Sequence, residues 1–288
     1  MTDRVILISP HLDDAALSCG GGLTRLTRAG VPTTIVTVFT ADQQPGLPLT
    51  PLARRSHASW GIGDQPFAAR RAEDLAAIRI LGAKAEYLGL MDAIYRRSPS
   101  GVALYSNPLA APASDDIEQF VPQLVDALRR TIGPALPESR IFCPAGTGNH
   151  VDHILVREAV AQLVDPEMMV LYEEYPYSAR PNSSTTATGG PGGWPTSTLT
   201  LTAEELETRI AAIGCYASQL RGLFPSEPER LREIASARLP VVGRWAVRPP
   251  DFAASRKRMA ARVRRDTTAQ GGERYRWPPQ AKSPFPEA

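Results

Sequence analysis

The chain opens on Arg4-Val5-Ile6-Leu7-Ile8, a short β-branched run with no polar alternation that ends in Ser9-Pro10. Such a run reads as a strand buried on both faces. Ala15 to Ala29 follows as a helix, and Thr33 to Thr40 as a second strand. Arg70 to Leu81 is a helix with Leu75, Ile78 and Leu81 on one face and Gly82 as its stop. Ala85 to Leu90 is a third strand, and Asp115 to Thr131 a helix whose acidic start suits its positive end. A fourth strand, Arg140 to Pro144, leads to a helix from about Asp152, and Met169 to Tyr175 is the fifth strand. Strands alternating with helices predict a Rossmann-like three-layer α/β/α sandwich with a mostly parallel sheet. Gln43 to Gly63, Arg96 to Ala113 and Ala179 to Pro195 are Pro-, Ser- and Gly-rich and read as long loops at the strand carboxyl ends.

Toward the C-terminus, Thr202-x-x-Glu205 is a capping box opening a helix to about Leu220. Leu231 to Ala237 reads as a short helix, Val241 to Val247 as a late strand, and a further helix starts at Ala253. The expected organisation is one domain over residues 1–277, with 278–288 a flexible end.

Two turns carry the chemistry. His11-Leu12-Asp13-Asp14 follows the first strand and Gly148-Asn149-His150-Val151-Asp152-His153 the fourth; they hold three of the four histidines. Open α/β sheets bind ligands at strand carboxyl ends, where parallel strands bring such turns together. Two imidazoles and a carboxylate leaving one position open form a frequent catalytic zinc set. Asp13 and His150 would then flank that position as base and electrophile. Asp92 and Arg96 end the third strand, and Glu173, Glu174 and Tyr177 end the fifth, all within possible reach of substrate. His57 reads as surface, and Gly20-Gly21-Gly22 as close helix packing, since the preceding turn is already filled by His11 to Asp14.

Composition narrows the picture further. An apolar content of 43% and a charged content of 22% are those of an ordinary globular chain, and no apolar run approaches the roughly 18 residues that span a bilayer. The early strand and Asp3 argue against a signal peptide, and Cys19, Cys143 and Cys215 are too widely spaced for a zinc clip. A cytoplasmic protein with reduced thiols is expected. Residues 253–288 carry nine basic against three acidic side chains but no nucleic-acid motif, and read as solvated surface. Neither a nucleic acid nor a membrane is an expected partner; a homo-oligomer stays open.

His11-Leu12-Asp13-Asp14 and His150-Val151-Asp152-His153 together resemble the signatures of the LmbE-like, or PIG-L, family of zinc-dependent de-N-acetylases. Arg70-x-x-Glu73, Tyr216-Ala217-Ser218-Gln219 and Gly272-Glu273-Arg274-Tyr275 extend the likeness over most of the chain. The resemblance implies hydrolysis of an N-acyl, expected N-acetyl, amide on an amino sugar or glycosylated small molecule. It implies His11, Asp14 and His153 as ligands of one zinc ion, although Fe2+, Co2+, Ni2+ or Mn2+ would also suit such a set. It implies Asp13 as general base, His150 as the group serving the oxyanion and leaving amine, and Asp152 as the residue orienting its neighbouring histidines. Arg70, and with it Asp92, would contact substrate. Two positions depart from the family pattern: Leu12 replaces a usual Pro, and Gly148 stands where some members have a Tyr donor. A metallo-esterase or phosphoesterase, or a silent metal-binding module, are the alternatives. Four histidines are few for a two-metal phosphatase, and the presence of both Asp13 and His150 speaks against a silent module.

Overall fold

In a computed structural model of the chain, the structure describes residues 4–63, 65–179, 193–225, 252–279 and 281–287. The first strand, β1 (Arg4–Ser9), lies inside the sheet and is buried beyond Arg4, which is why it has no polar face. It pairs in parallel with β2 (Thr33–Phe39) on one side and β4 (Ser139–Pro144) on the other. β3 (Lys84–Leu90) extends the sheet beyond β2, and β5 (Met169–Tyr172) extends it beyond β4, both in parallel. Two antiparallel strands complete it, giving the order β3-β2-β1-β4-β5-β7-β6 among the described residues, with β6 spanning Thr196–Leu199 and β7 Glu273–Arg276.

Alternate residues of these strands feed two cores. Ile6, Ile8, Val36 and Ile141 face α4 (Val121–Ile132) and α5 (Val151–Ala161), where Leu124, Leu128, Leu155 and Val156 meet them. Val5, Leu7, Ile35 and Phe142 face the other way. There they meet α1 (Asp14–Arg28), α3 (Pro66–Leu81), α6 (Ala203–Ile213) and α8 (Phe252–Gln270) through Leu23, Ile78, Ile213 and Val263. Each fully buried aliphatic side chain contributes about 1.5–3 kcal/mol. The expected three layers and mostly parallel sheet are therefore present. Cys19 and Cys143 lie in opposite cores and cannot pair.

The chain leaves β1 toward β2 on one side and returns to β4 on the other, so the carboxyl ends of β1 and β4 flank a topological switch point. A crevice opens where the connections diverge. Both histidine turns sit at its rim.

Several local expectations change. The Gln43 to Gly63 loop contains a helix, α2 (Pro51–Trp60), whose Thr50 hydroxyl accepts from Ala53 N at 3.0 Å and whose end is Gly61 at φ 65°. Only Leu52 and Ala53 of α2 are buried, so its apolar periodicity is too weak to read. The Asp115 to Thr131 helix opens as a π-helical turn, Asp116–Phe120, before α4. The helix from Thr202 keeps its capping box but breaks at Gly214, and α7 (Ala217–Leu223) follows. The fifth strand stops at Tyr172. Strands β6 and β7 carry no strand signal in the sequence, because four polar-rich residues each show strand character only once paired. The expected elements at Leu231 to Ala237 and Val241 to Val247, and residues 180–192 of the loop from Ala179, lie outside the described residues.

The three glycines of α1 are packing residues. A Cβ at Gly20 would stand 2.8 Å from Arg209 Cγ, at Gly21 2.4 Å from Leu201 Cδ1, and at Gly22 2.6 Å from the Tyr275 hydroxyl. In the C-terminal end, where fraying is expected, Phe285 packs on Tyr275 and Phe142 with ring centroids 4.7 and 5.7 Å away.

Candidate active site

The turn after β1 is set by short-range bonds. Ser9 Oγ donates to His11 O at 2.8 Å and accepts from Ala15 N at 3.2 Å, tying the turn to the first residues of α1. His11 N donates to Asp14 Oδ2 at 2.8 Å, which brings that carboxylate within 3.1 Å of His11 Nδ1. From the second turn, His153 in the first turn of α5 places Nε2 3.3 Å from both Asp14 Oδ2 and His11 Nδ1. Two imidazole nitrogens and one carboxylate oxygen thus form a triangle with sides of 3.1, 3.3 and 3.3 Å. Atoms held tetrahedrally around zinc at its usual ~2.0–2.1 Å lie about 3.3 Å apart, so the triangle has the size that one divalent cation needs.

The far side of each imidazole fixes which nitrogen is free. His153 Nδ1 lies 3.1 Å from Glu174 Oε1, and Glu174 is itself pinned by Gly146 N at 2.7 Å and Thr147 N at 2.9 Å. His11 Nε2 lies 3.0 Å from Asp152 Oδ2, which also accepts from Ala93 N at 3.1 Å. A carboxylate on one ring nitrogen holds the proton there and leaves the other lone pair facing inward. Asp92 stands 3.7 Å from His11 Nε2, so His11, Asp92 and Asp152 form a second acidic group on that ring's outer side. Arg96 partly offsets this charge: its Nη2 is 2.6 Å from Asp152 Oδ1 and its Nε is 2.9 Å from Asp116 Oδ2. Arg96 is buried against the rings of Phe39, Tyr105 and Phe120, 5.4, 5.5 and 4.8 Å from their centroids.

His150 and Asp13 stand beside the triangle, the His150 ring centroid 4.7 and 4.9 Å from those of His11 and His153, and Asp13 next to Asp14 in the turn. His150 is the N-cap of α5, and its Nδ1 accepts from Asp152 N at 3.2 Å. That leaves the proton on Nε2, a neutral donor. Burial, then the nearby His11 and His153, push His150 well below the usual imidazole range, and the positive helix end acts the same way. Asp152, expected to orient its neighbouring histidines, turns its carboxylate to His11 and Arg96 instead. Asp13 is raised to about 6 by burial and by the charge of Asp14, against the pull of Arg70, whose Nη2 is 3.8 Å from Asp13 Oδ1.

The remaining candidates divide. Arg70 and Asp92 both reach the site but are buried, 3% and 4% exposed. Glu173 pairs with Arg274 and Arg276 at 3.1 and 2.7 Å and fastens β7 to the end of β5. His57 bonds Tyr95 and stacks on Trp60. Tyr177 lies edge-on to His153, 6.4 Å between centroids, and its ring fills the space above Gly148. A Cβ on Gly148 would stand 2.5 Å from Tyr177 Cγ and 2.8 Å from Tyr177 Cβ, at a φ of +85°. Gly148→Ala is therefore expected to cost roughly 1–3 kcal/mol from the left-handed backbone and the clash. A thermal melt lowered in Gly148→Ala and partly restored in Gly148→Ala with Tyr177→Ala would show it. The orienting roles of Glu174 and Arg96 are not readable from the chain, where the first is one of two adjacent acids and the second begins a loop.

Comparison with known proteins points the same way. The sequence profile of the PIG-L family, described as GlcNAc-PI de-N-acetylase, matches residues 6–164. A 2'-N-acetylparomamine deacetylase of Streptomyces fradiae is 32% identical over 188 residues, 62% of this chain and 58% of that enzyme, so the chain spans less than two thirds of it. Its counterpart from Niallia circulans is 30% identical over 243 residues, 78% of this chain and 83% of that enzyme. Among solved structures, the zinc-inhibited form of teicoplanin deacetylase Orf2 superposes with a TM-score of 0.71 at 25% identity, covering 96% of this chain and 97% of that one. A deacetylase–teicoplanin complex gives 0.66 at 29% identity, over 82% and 93%. Among the described residues no helix is long and apolar enough to cross a membrane.

Proposed function

Because the chain belongs to the PIG-L family of de-N-acetylases, we propose that it hydrolyses the N-acetyl amide of an amino sugar carried on a glycosylated small molecule, using one divalent cation, zinc in the first instance. The relatives that act on acetylparomamine and teicoplanin support the substrate class. The observation that carries the cation is the 3.1–3.3 Å triangle of His11 Nδ1, Asp14 Oδ2 and His153 Nε2, each ring with its outer nitrogen held by a carboxylate. The pairing of β1 to β5 and β7 in one sheet supports a single domain over 1–277.

Bound zinc would polarise the amide carbonyl and lower the pKa of water to about 7. The chain supplies the rest. Asp13 takes the proton of the attacking water and, once protonated, is the acid at hand for the leaving amine. His150 hydrogen-bonds the developing oxyanion through its Nε2–H, keeps that proton and so stays neutral throughout, since its Nδ1 is already bonded to Asp152 N. Arg70 faces the Asp13 carboxylate, its Nη2 3.8 Å from Oδ1.

The test is acetate release from 2'-N-acetylparomamine and other N-acetylated glycosides, before and after chelation and with stoichiometric zinc, iron, cobalt, nickel or manganese returned. Activity should vanish with the metal and return with it. Undiminished release from metal-free protein would defeat the proposal. Glu174→Gln, which keeps the shape but weakens the hold on His153, should lower metal affinity about 10–100-fold, read by competition with a chromogenic chelator. His150→Ala should keep its metal, leave KM little changed and lose about 10²–10³-fold in kcat, the scale of one oxyanion donor. Loss of metal in that variant would make His150 a ligand instead.

A further inference from the structure

Two sequence segments meet beside Asp13, and apart from Arg70 their residues have no role in the chemistry above. One is Arg70-x-x-Glu73-Asp74 on α3, and the other is Tyr216-x-Ser218-Gln219 at the start of α7. Glu73 accepts from Ser218 N at 2.9 Å and from Ser218 Oγ at 2.6 Å, and Asp74 Oδ1 accepts from the Tyr216 hydroxyl at 2.7 Å. These three bonds clamp the start of α7 onto α3 and deliver Gln219 to the guanidinium of Arg70. With its amide oxygen turned toward them, Gln219 accepts from Arg70 Nε at 3.2 Å and from Trp60 Nε1 at 3.3 Å. Trp60, the last residue of α2, also lies under the guanidinium, 4.6 Å from ring centroid to Arg70 Cζ, and Phe67 lies 5.2 Å away.

A guanidinium is planar, so two constraints fix it. The Trp60 ring sets its plane, and an acceptor on Nε sets its rotation within that plane. What remains is the outer edge, where Nη2 faces Asp13 Oδ1 at 3.8 Å. At that separation a small rotation decides whether the cation faces the carboxylate at all. Arg70 is 3% exposed, so water cannot replace a lost acceptor cheaply.

We infer that Gln219 is a positioning residue for the reaction: together with Trp60 it locks the Arg70 guanidinium so that Nη2 stays against Asp13 and holds that carboxylate in line for the attacking water. The inference rests on the deacetylase reading of the site. It gives the clamp between α3 and α7 a function: Tyr216, Ser218, Glu73 and Asp74 set where Gln219 stands, and Gln219 sets how Arg70 points.

The experiment compares wild type, Gln219→Leu, Arg70→Met and the double variant as metal-loaded proteins, with 2'-N-acetylparomamine as probe. Gln219→Leu should keep its metal, melt a few degrees lower for the unpaired donor it leaves on Arg70, and lose about 10–100-fold in kcat, as expected for a misaligned base. In the Arg70→Met background the same change should cost less than about 2-fold, because the group it positions is gone. Gln219→Glu, which keeps the acceptor, should retain most of kcat. Independently of activity, the Trp60 indole N–H resonance, identified through Trp60→Phe, should shift upfield in Gln219→Leu on losing its acceptor. An equal loss of kcat in both backgrounds, or an unmoved indole resonance, would overturn the inference while leaving the deacetylase reading intact. If the wild type releases no acetate from any N-acetylated glycoside, the deacetylase reading fails first and takes the inference with it.

Discussion

Asp13→Asn is expected to retain a full complement of metal and lose at least 10²-fold in kcat, with KM changed far less. The substitution keeps the size of the side chain and a hydrogen-bonding oxygen toward Arg70, so the turn between β1 and α1 has no reason to rearrange. What it removes is the ability to take a proton. General-base catalysis of this kind contributes about 10²–10⁴-fold, and the lower bound assumes that another group partly substitutes. The contrast with Asp14 makes the prediction sharp. Asp14 Oδ2 is bonded to His11 N and lies within 3.3 Å of both imidazoles, while Asp13 carries none of these contacts and faces Arg70 instead. Elemental analysis and kcat on the two single variants should therefore split: Asp14→Asn loses metal and activity together, Asp13→Asn activity alone. Depleted metal in Asp13→Asn would mean that the two carboxylates exchange roles.

Arg96→Met is expected to produce the largest loss of stability among the site residues. Arg96 is the counter-charge for two buried carboxylates, Asp152 and Asp116, which are 0% and 2% exposed. Burial raises Asp152, and Arg96 with His11 overcomes that and holds it ionised, well below the usual carboxylate range. Removing one partner of a buried ion pair costs about 3–5 kcal/mol, because the remaining charge keeps its desolvation penalty. For a chain of this size that corresponds to a fall of roughly 5–8 °C in Tm. The loss should reach the metal as well. Asp152 orients His11 through Nε2, so an Asp152 freed from Arg96 holds His11 less firmly, and metal affinity should drop about 10–100-fold. Differential scanning fluorimetry and a chelator competition read the two effects separately. A variant that melts like wild type and binds metal equally well would show that Asp152 does not depend on Arg96.

Much of this site is local in sequence and could be read there. His11 and Asp14 are three residues apart in one turn, and His150 and His153 three apart in another. Each turn follows an apolar run whose lack of alternation marks a central parallel strand. Strand order does the rest, since any sheet that places β1 beside β4 brings these turns together. The sequence determines the residue types proposed as ligand, base and electrophile and the two turns that carry them.

Only the tertiary structure decides how each group is held. Asp152 adjoins His153 in the chain, but successive helical residues point in different directions, and its carboxylate serves His11, 141 positions away. Glu173 and Glu174 are adjacent acids at the end of β5, yet one fastens β7 and the other orients His153. His150 is a neutral donor because it caps α5, a fact of backbone geometry rather than of composition. Trp60 and Gln219 frame Arg70 from helices with little periodicity of their own, brought together by the packing of α2 against α7. The division has one physical cause. Apolar patterning and chain direction act through neighbours in sequence, whereas the partner of a buried charge is whichever group the completed fold places within about 3 Å, so protonation state and orientation follow from contacts that no stretch of sequence contains.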